Sequence, residues 1–496
     1  MALIMTFQML SATAFAIDSN QKGKITVHGV EAGVKIHAYR LMDICYDYEV
    51  QQPKNPMYQW VDEMAEWVSD NYGSYIDTEN LNTVEEAFSE AKEAEVAEFY
   101  DKLAVAIKAG KVSLPVETMT AEGETALVEG LAMGNYFLLI EGGAKVYRPL
   151  TANVVPEWKE DVWQMAEPVV NAKSSLPTIT KTVTDGLKKD HADIGDIISY
   201  ELIATVPTYP ENATAKYYSI TDKLCEGLTL VEGSVKVYGQ NSGQEDVLLE
   251  DGYIHMPDRP IDTFAISAES GFAYEFDYDV IGAYESLRIT YQAVLNEYAV
   301  IGNDGNVNTA YLDYNNNPYD EESWNTDDDN ATVYTYGMKV SKVDETDNHP
   351  LKGAEFSLSK DGAEISFVGN AGNYRVAKQN ETGETILKVD ENGLLKLDGL
   401  DVGEYNLTEV KAPDGYVKLQ NPVKVIITDE DMDGNAEADG QEQIDGYVPV
   451  TVKNDKGFTL PVTGGMGTTV FNITGAVLIA AGLILVIGYC RKSKYR

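Results

Sequence analysis

The chain has 496 residues, three Cys, five His and a formal net charge of −42, from 80 acidic against 38 basic side chains. That charge excludes nucleic acid and anionic lipid surfaces as partners and suits a soluble, self-repelling extracellular surface. With both ends set aside, roughly 440 residues remain, too many for one ordinary domain and enough for three.

Residues 1–16 are largely apolar and close on Ala14-Phe15-Ala16, the small-x-small pattern of a signal-peptidase site, so Ile17 reads as the first mature residue. The stretch lacks a positive n-region, which points to a start lying further upstream. Residues 17–174 open with strand-like Lys24-Ile25-Thr26-Val27-His28 and Val34-Lys35-Ile36-His37-Ala38-Tyr39, and near their end carry Asn135-Tyr136-Phe137-Leu138-Leu139-Ile140. Between them Trp60, Val61, Met64, Trp67 and Val68 fall at helical spacing. A second run from about Thr83 to Ala109 places Phe99, Leu103 and Ile107 on one helical face, with Gly110 as the stop. This region reads as a β-sandwich with a helical insertion.

From Leu176 to Asn454 the pattern becomes short alternating strands separated by Gly, Asn and Asp turns, the pattern of all-β sandwiches. A break near Thr335 to Gly337 divides it into residues 175–336 and 337–456. The fold class is therefore mainly β: tandem immunoglobulin-like sandwiches, the first with helices inserted. Residues 457–496 carry Leu460-Pro461-Val462-Thr463-Gly464, an apolar run over 470–489 and a terminal cluster with Arg491, Lys492, Lys494 and Arg496. A run of about twenty apolar residues can cross a bilayer, and the cations after it would hold the end in the cytoplasm.

Enzyme signatures are missing. His28, His37, His191, His255 and His349 have no metal-ligand spacing, and there is no phosphate loop, G-x-S-x-G or Cys/His nucleophile pair. Neither a cofactor nor a metal is expected, and the chain reads as a non-enzyme. Asp429, Asp431, Asp433 and Gly434 mimic the start of a calcium loop, but position twelve is Gly440, so a solvated acidic loop is the expectation. Cys45 and Cys225 lie in different predicted domains and Cys490 at the membrane edge, which argues against a disulfide framework.

Side chains alternate between strand faces, so parity shows which polar residues point inward. Lys181 shares a face with Ile179 and Val183, Asp222 with Tyr218, Ile220 and Leu224, and Asn308 with Ala310 and Leu312. In the last region Lys342 shares a face with Met338 and Val340, Glu409 with Tyr405 and Leu407, and Asn454 with Val450 and Val452. A Lys, an acid and an Asn thus point inward twice. Asn306 has the parity of Asn308 and is the alternative partner in the first trio; residues 17–174 offer no such set. An unpaired buried Lys or carboxylate costs several kcal/mol, so each trio demands an explanation. A plain buried ion pair is one.

Resemblance supplies another. The terminal Leu460–Gly464 motif, apolar run and cations resemble the cell-wall sorting signal of Gram-positive surface proteins, in which a sortase thiol attacks the Thr carbonyl, here Thr463. Lys342-Val343-Asp344, Leu351-Lys352-Gly353-Ala354-Glu355-Phe356 and Tyr405 to Tyr416 resemble the B-type repeat of a collagen adhesin. Thr178 to Val183, Ile220 to Leu224 and Asn306 to Ala310 resemble the A-type isopeptide domain of fimbrial backbone proteins. The whole is similar to the sortase-assembled backbone pilins of Gram-positive bacteria.

That resemblance implies autocatalytic isopeptide bonds from Lys181 to Asn308 and from Lys342 to Asn454, with Asp222 and Glu409 as the catalytic acids. Desolvation lowers the Lys pKa and raises that of the acid, leaving a neutral amine and a protonated carboxyl beside the amide. The amine attacks the amide carbon and ammonia leaves; enforced contact raises the effective molarity to about 10⁵ M or more. It also implies that Lys173, in Asn171-Ala172-Lys173 with Trp163 upstream, is the exposed nucleophile joined to Thr463 of the next subunit. This chain lacks the commoner Tyr-Pro before that lysine, and an ordinary linker lysine is the alternative. Glu409 further belongs to the stretch that in the family serves incorporation of accessory pilins. The implied partners are a sortase, neighbouring copies, peptidoglycan, accessory pilins and a host ligand; the implied location is a pilus on the cell wall, reached through a membrane-anchored precursor. The competing function is a monomeric wall-anchored adhesin.

Overall fold

The computed structural model describes residues 17–456, apart from 81, 160–161, 252, 256–268, 439–440 and 444, together with 467–493. The export signal and the Leu460–Gly464 motif lie outside the described residues.

In the first region the long strand Lys35–Asp47 is paired by Gly134–Glu141 and Gln52–Trp60, with Val116–Thr120 also on it. A smaller sheet sets Gly23–His28 between Thr125–Leu131 and Val169–Asn171. Ile25, Val27, Ile36 and Ala38 alternate inward and are fully buried, as a sandwich requires. The helical insertion consists mainly of Asp62–Tyr72 and Glu93–Lys108. The run expected from Thr83 to Ala109 is broken. Thr83-Val84 pairs as a short strand, Glu86–Ser89 makes one turn, and the helix restarts where the Glu95 carboxylate accepts the Lys92 backbone N–H at 2.8 Å. β-branched Thr83 and Val84 favour the strand, and an N3 acid taking up a free donor marks a helix start. Gly110, at φ +66°, ends the helix in the left-handed region.

The middle region packs two six-stranded sheets. One runs Ile179–Val183, Ile197–Thr205, Ser286–Leu295, Lys236–Gln240, Val247–Leu249; the other contains Asn306–Asn315 between Trp324–Tyr334 and Tyr218–Leu224. The last region packs two five-stranded sheets. In one, Tyr336–Asp344 lies between Leu394–Leu400 and a parallel Tyr447–Asn454; the other centres on Glu355–Lys360 and Gly403–Lys411.

One apolar core runs through both of these sandwiches, whereas the first region has cores of its own. The break expected near Thr335 is a single residue between two long strands. Thr335 is fully buried and its hydroxyl donates to the Leu400 carbonyl at 3.3 Å. Contact with the first region is both apolar and polar: Val146 joins the shared core, Tyr319 inserts into the core of the helical insertion and donates its hydroxyl to the buried Asp101 at 2.5 Å, and the Tyr314 hydroxyl donates to the Ala144 carbonyl at 2.6 Å. Past the sandwiches, helix Gly467–Ser493 carries an apolar stretch, Phe471–Cys490, long enough to span a bilayer.

Candidate cross-linking sites

Strands of both sheets bring Lys181 and its neighbours together across the middle sandwich. Strand Ile179–Val183 is held at its edge by carboxylates of the facing sheet: Asp327 accepts the Ile179 N–H at 2.8 Å and Asp329 the Lys181 N–H at 2.7 Å. The Lys181 side chain therefore points into the core, at 0% exposure, and its Nζ is in direct contact with the Asp222 carboxylate. Asp222 and Asn308 face it from adjacent strands of the other sheet, where Asp222 pairs with Ala310 and Leu224 with Asn308.

Tyr291 completes the group. It comes from the Lys181 sheet, on strand Ser286–Leu295, and its hydroxyl lies 2.5 Å from Lys181 Nζ, 2.7 Å from Asp222 Oδ2 and 2.8 Å from Asn308 Nδ2. Tyr200 stacks on the Tyr291 ring with centroids 5.3 Å apart, and Phe272 meets its edge at 5.1 Å, sealing the site from water. Burial, more than any charge, pulls the Lys181 amine down and pushes the Asp222 carboxyl up, although each attracts the other's charged form. Asp222 Oδ1 and Asn308 Oδ1 are buried without a partner. One proton on the carboxyl would turn an unpartnered acceptor into a donor. Sequence parity also turns Tyr291 inward with Leu287 and Ile289, but an inward Tyr is ordinary core, so nothing in the sequence marks it. Asn306, the alternative partner, is committed elsewhere: its amide donates to the carbonyls of Val300 and Val333, both at 3.1 Å, and accepts the Val300 N–H at 2.9 Å.

The last sandwich arranges the same residue types differently. Lys342 and Asn454 sit on neighbouring parallel strands of one sheet, with Lys342 opposite Val452 and Asp344 opposite Asn454. Glu409 reaches them from the other sheet. Asn454 Nδ2 donates to both Glu409 oxygens, at 2.9 and 3.0 Å, and to the Val417 carbonyl at 2.9 Å. Glu409 also accepts the Leu419 N–H at 2.7 Å. The Lys342 amine donates to the Val452 carbonyl at 3.1 Å and, among the described residues, has no carboxylate within ion-pair reach. Burial lowers its pKa to about 8, against the opposing pull of Glu409 and Asp344. Lys342, Glu409 and Asn454 are all buried, whereas no lysine described before residue 175 is.

Family models match both sandwiches: Gram-positive pilin backbone subunit 2, Cna-B-like domain, over residues 194–318, and the SpaA prealbumin-like fold domain over 337–442. The trypsin-resistant surface T6 protein of Streptococcus pyogenes serotype M6 is 32% identical over 261 residues, 49% of this chain and 44% of that protein. Residues 194–318 and 337–442 are thus domains of the kinds found in Gram-positive pilins. Fimbrial subunit type 1 of Actinomyces viscosus is 26% identical over 376 residues, 66% of each chain. The chain thus spans about half to two thirds of the length of these relatives. Among solved structures, the T6 backbone pilin of S. pyogenes matches with a TM-score of 0.62 at 19% identity, covering 89% of this chain and all of that one. The major pilin SpaD of Corynebacterium diphtheriae matches at 0.51 and 18%, covering 89% and 99%. At such identities these two speak for the fold alone.

Lys173 lies between strand Val169–Asn171 and the short Ser174–Ser175 strand, which pairs with Val146–Tyr147. Its carbonyl accepts the Arg148 N–H at 2.9 Å, so the backbone is held while the side chain is exposed. It stands apart from both trios. The acidic loop is less solvated than expected. Asp429, Asp431 and Asp433 approach within 4.8 Å of one another, but Asp429 is buried, taking the Tyr336 hydroxyl at 2.5 Å and the Gly434 N–H at 2.8 Å. Cys45 and Cys225 are free and half-buried.

Proposed function

We propose that this chain is the structural subunit of a surface pilus, joined by a sortase from Thr463 of one copy to Lys173 of the next. Two autocatalytic isopeptide bonds, Lys181 to Asn308 and Lys342 to Asn454, lock its sandwiches. The observation that carries this reading is the pair of lysines at 0% exposure, each in a sandwich core with an acid and an Asn. Two uncompensated ammonium groups would be costly to bury, whereas a neutral amine beside an amide and a proton donor is a reaction waiting for the chain to fold. In each case Nζ bonds to the Asn Cγ, the acid stabilises the charge building on Oδ1, and the amide nitrogen leaves as ammonia. At Asn454 a half-turn of the amide exchanges Nδ2 for Oδ1, which then accepts from a protonated Glu409.

The streptococcal relative is named for trypsin resistance. Internal bonds of this kind would give such resistance, since a protease needs locally extended chain. In cells, the basal copy would pass from the sortase to peptidoglycan, and accessory pilins or a host ligand would meet the assembled shaft.

Cells producing the full chain are expected to yield a ladder of high-mass forms that survives boiling in SDS. Lys173→Ala should collapse it to monomer; an intact ladder would remove Lys173 from the junction. A wild-type protein found on the wall only as monomer would leave the adhesin reading. Tryptic peptides of released protein should include Lys181–Asn308 and Lys342–Asn454 pairs, each lighter by one ammonia.

A further inference from the structure

The Tyr291 hydroxyl touches both nitrogens that must exchange a proton in the middle sandwich. It accepts from Lys181 Nζ at 2.5 Å, the incoming nucleophile, and from Asn308 Nδ2 at 2.8 Å, the departing group, while donating to Asp222 Oδ2 at 2.7 Å. We propose that Tyr291 is a catalytic residue of the Lys181–Asn308 bond, relaying the proton from the attacking amine to the leaving nitrogen. The proposal rests on the reading that this bond forms.

The need for a relay follows from the chemistry. As Nζ bonds to Cγ it becomes acidic and must lose a proton, while Nδ2, no longer conjugated in the tetrahedral intermediate, must gain one before the C–N bond can break. In the closed core the phenol hydrogen-bonds both nitrogens; Asp222 also contacts Nζ and bonds the Asn308 amide, but the phenol can accept one proton while giving up another. It takes the Nζ proton on its oxygen and passes its own to Nδ2, the C–N bond breaks, and ammonia departs with the phenol restored. Lys amine plus Asn amide becomes substituted amide plus ammonia, with no other reactant. A hydroxyl hydrogen rotates freely about its C–O bond, so it can turn from Asp222 to Nδ2 as that nitrogen becomes basic. Asp222 serves a separate end, holding the phenol oxygen with Oδ2 and leaving Oδ1 for the charge that builds on the amide oxygen. Burial keeps Tyr291 a neutral phenol throughout the pH range of life. Among the described residues the last sandwich has no phenol at the equivalent contact: Lys342 donates to a backbone carbonyl, and Glu409 and Asn454 bond each other and backbone groups.

That difference supplies an internal control. The full chain would be made by cell-free synthesis with detergent, sampled over time and digested with trypsin to follow both cross-linked peptides by mass. Tyr291→Phe is expected to slow the Lys181–Asn308 peptide by about a hundredfold or more, the usual loss on removing a general acid–base group, with the Lys342–Asn454 peptide unchanged. Equal rates for the first peptide in wild type and variant would overturn the relay. Should Tyr291→Phe misfold by circular dichroism, difluorotyrosine placed at 291 keeps the shape and makes the phenol more acidic. A severalfold change in rate then supports the relay, and an unchanged rate overturns it. A wild-type chain that never forms the Lys181–Asn308 peptide would overturn the underlying reading, and the relay with it.

Discussion

In the middle sandwich the amine rests on its acid, whereas in the last one the acid holds the amide and the amine waits on a backbone carbonyl. The strands differ as well. Lys181 and Asn308 belong to opposite sheets, so their bond would pin the sandwich through its thickness; Lys342 and Asn454 belong to neighbouring strands, so theirs would clamp one sheet. The same three residue types thus serve two mechanical designs. If tension enters at Lys173 and leaves at Thr463, it crosses each bond and bypasses residues 182–307 and 343–453. Residues 309–341 remain in the load path, held by hydrogen bonds and core packing alone. The last sandwich is closed almost from end to end, whereas the final two long strands of the middle one are left to their non-covalent contacts.

Stretching single molecules between residues 173 and 463 would break this comparison most directly. Asp222→Ala should release residues 182–307 and add roughly 430 Å of extension at the reach of an extended chain. Glu409→Ala should release 343–453 and add roughly 380 Å. Wild-type protein that already lengthens by both amounts carries neither bond. The two variants should also differ at rest. Asp222→Ala strands Lys181 in the core with the Tyr291 hydroxyl and the Tyr200 ring but without its carboxylate, and should cost about 3–5 kcal/mol in chemical denaturation. After Glu409→Ala, Lys342 keeps the Val452 carbonyl and Asn454 keeps the Val417 carbonyl, so the loss should be smaller.

The proton inventory gives the next test. Lys181 can hand its proton to Asp222, and the pair stays neutral overall, so bond formation there should vary little from pH 6 to 8. The Lys342–Asn454 bond needs a neutral amine and a proton on Glu409 together, that is, one proton on the pair. The Lys342 pKa is lowered to about 8, so above that value the pair loses this proton and the rate should fall about tenfold per pH unit; just below it the rate should level off. Time courses of both peptides at several pH values read this out, and parallel profiles would erase the distinction.

Parity brought Lys181, Asp222, Asn308, Lys342, Glu409 and Asn454 inward because a strand has only two faces, and one misplaced polar residue among Val, Ile and Tyr stands out. It could not say which sheet each strand joins, since that depends on pairings such as Lys342 beside Val452 across more than a hundred residues of chain. Nor could it separate Asn306 from Asn308, whose parity is identical; the difference lies in the Val300 loop folding back over Asn306. Tyr291 escaped for the opposite reason, being a core aromatic until its hydroxyl is seen among three polar groups. The helix expected over 83–109 failed at Thr83-Val84, where pairing with the Gln59 strand outweighs the helical period. The stretch near Thr335 to Gly337 read as a break between domains. In the fold it is a buried splice.

That splice sets the smallest effect and the most local one. Residues 309–341 lie between the two proposed bonds, and their continuity depends on the junction where Thr335, Tyr336 and the Asp429 loop meet. Tyr336 donates to Asp429 at 2.5 Å, and the other partners of that buried carboxylate include the N–H groups of Asp433 and Gly434 at 3.2 and 2.8 Å. Tyr336→Phe removes one donor from a group that cannot reach water, which should cost about 1–3 kcal/mol. With both cross-links in place, that loss should appear as faster hydrogen exchange at Gly434 and a lower unfolding force for the uncovered segment, while the Lys181 and Lys342 peptides form as before. If exchange at Gly434 is unchanged, the shared apolar core across Tyr334, Tyr336 and Met338 is enough to hold the splice, and the phenol adds only specificity of angle between the sandwiches.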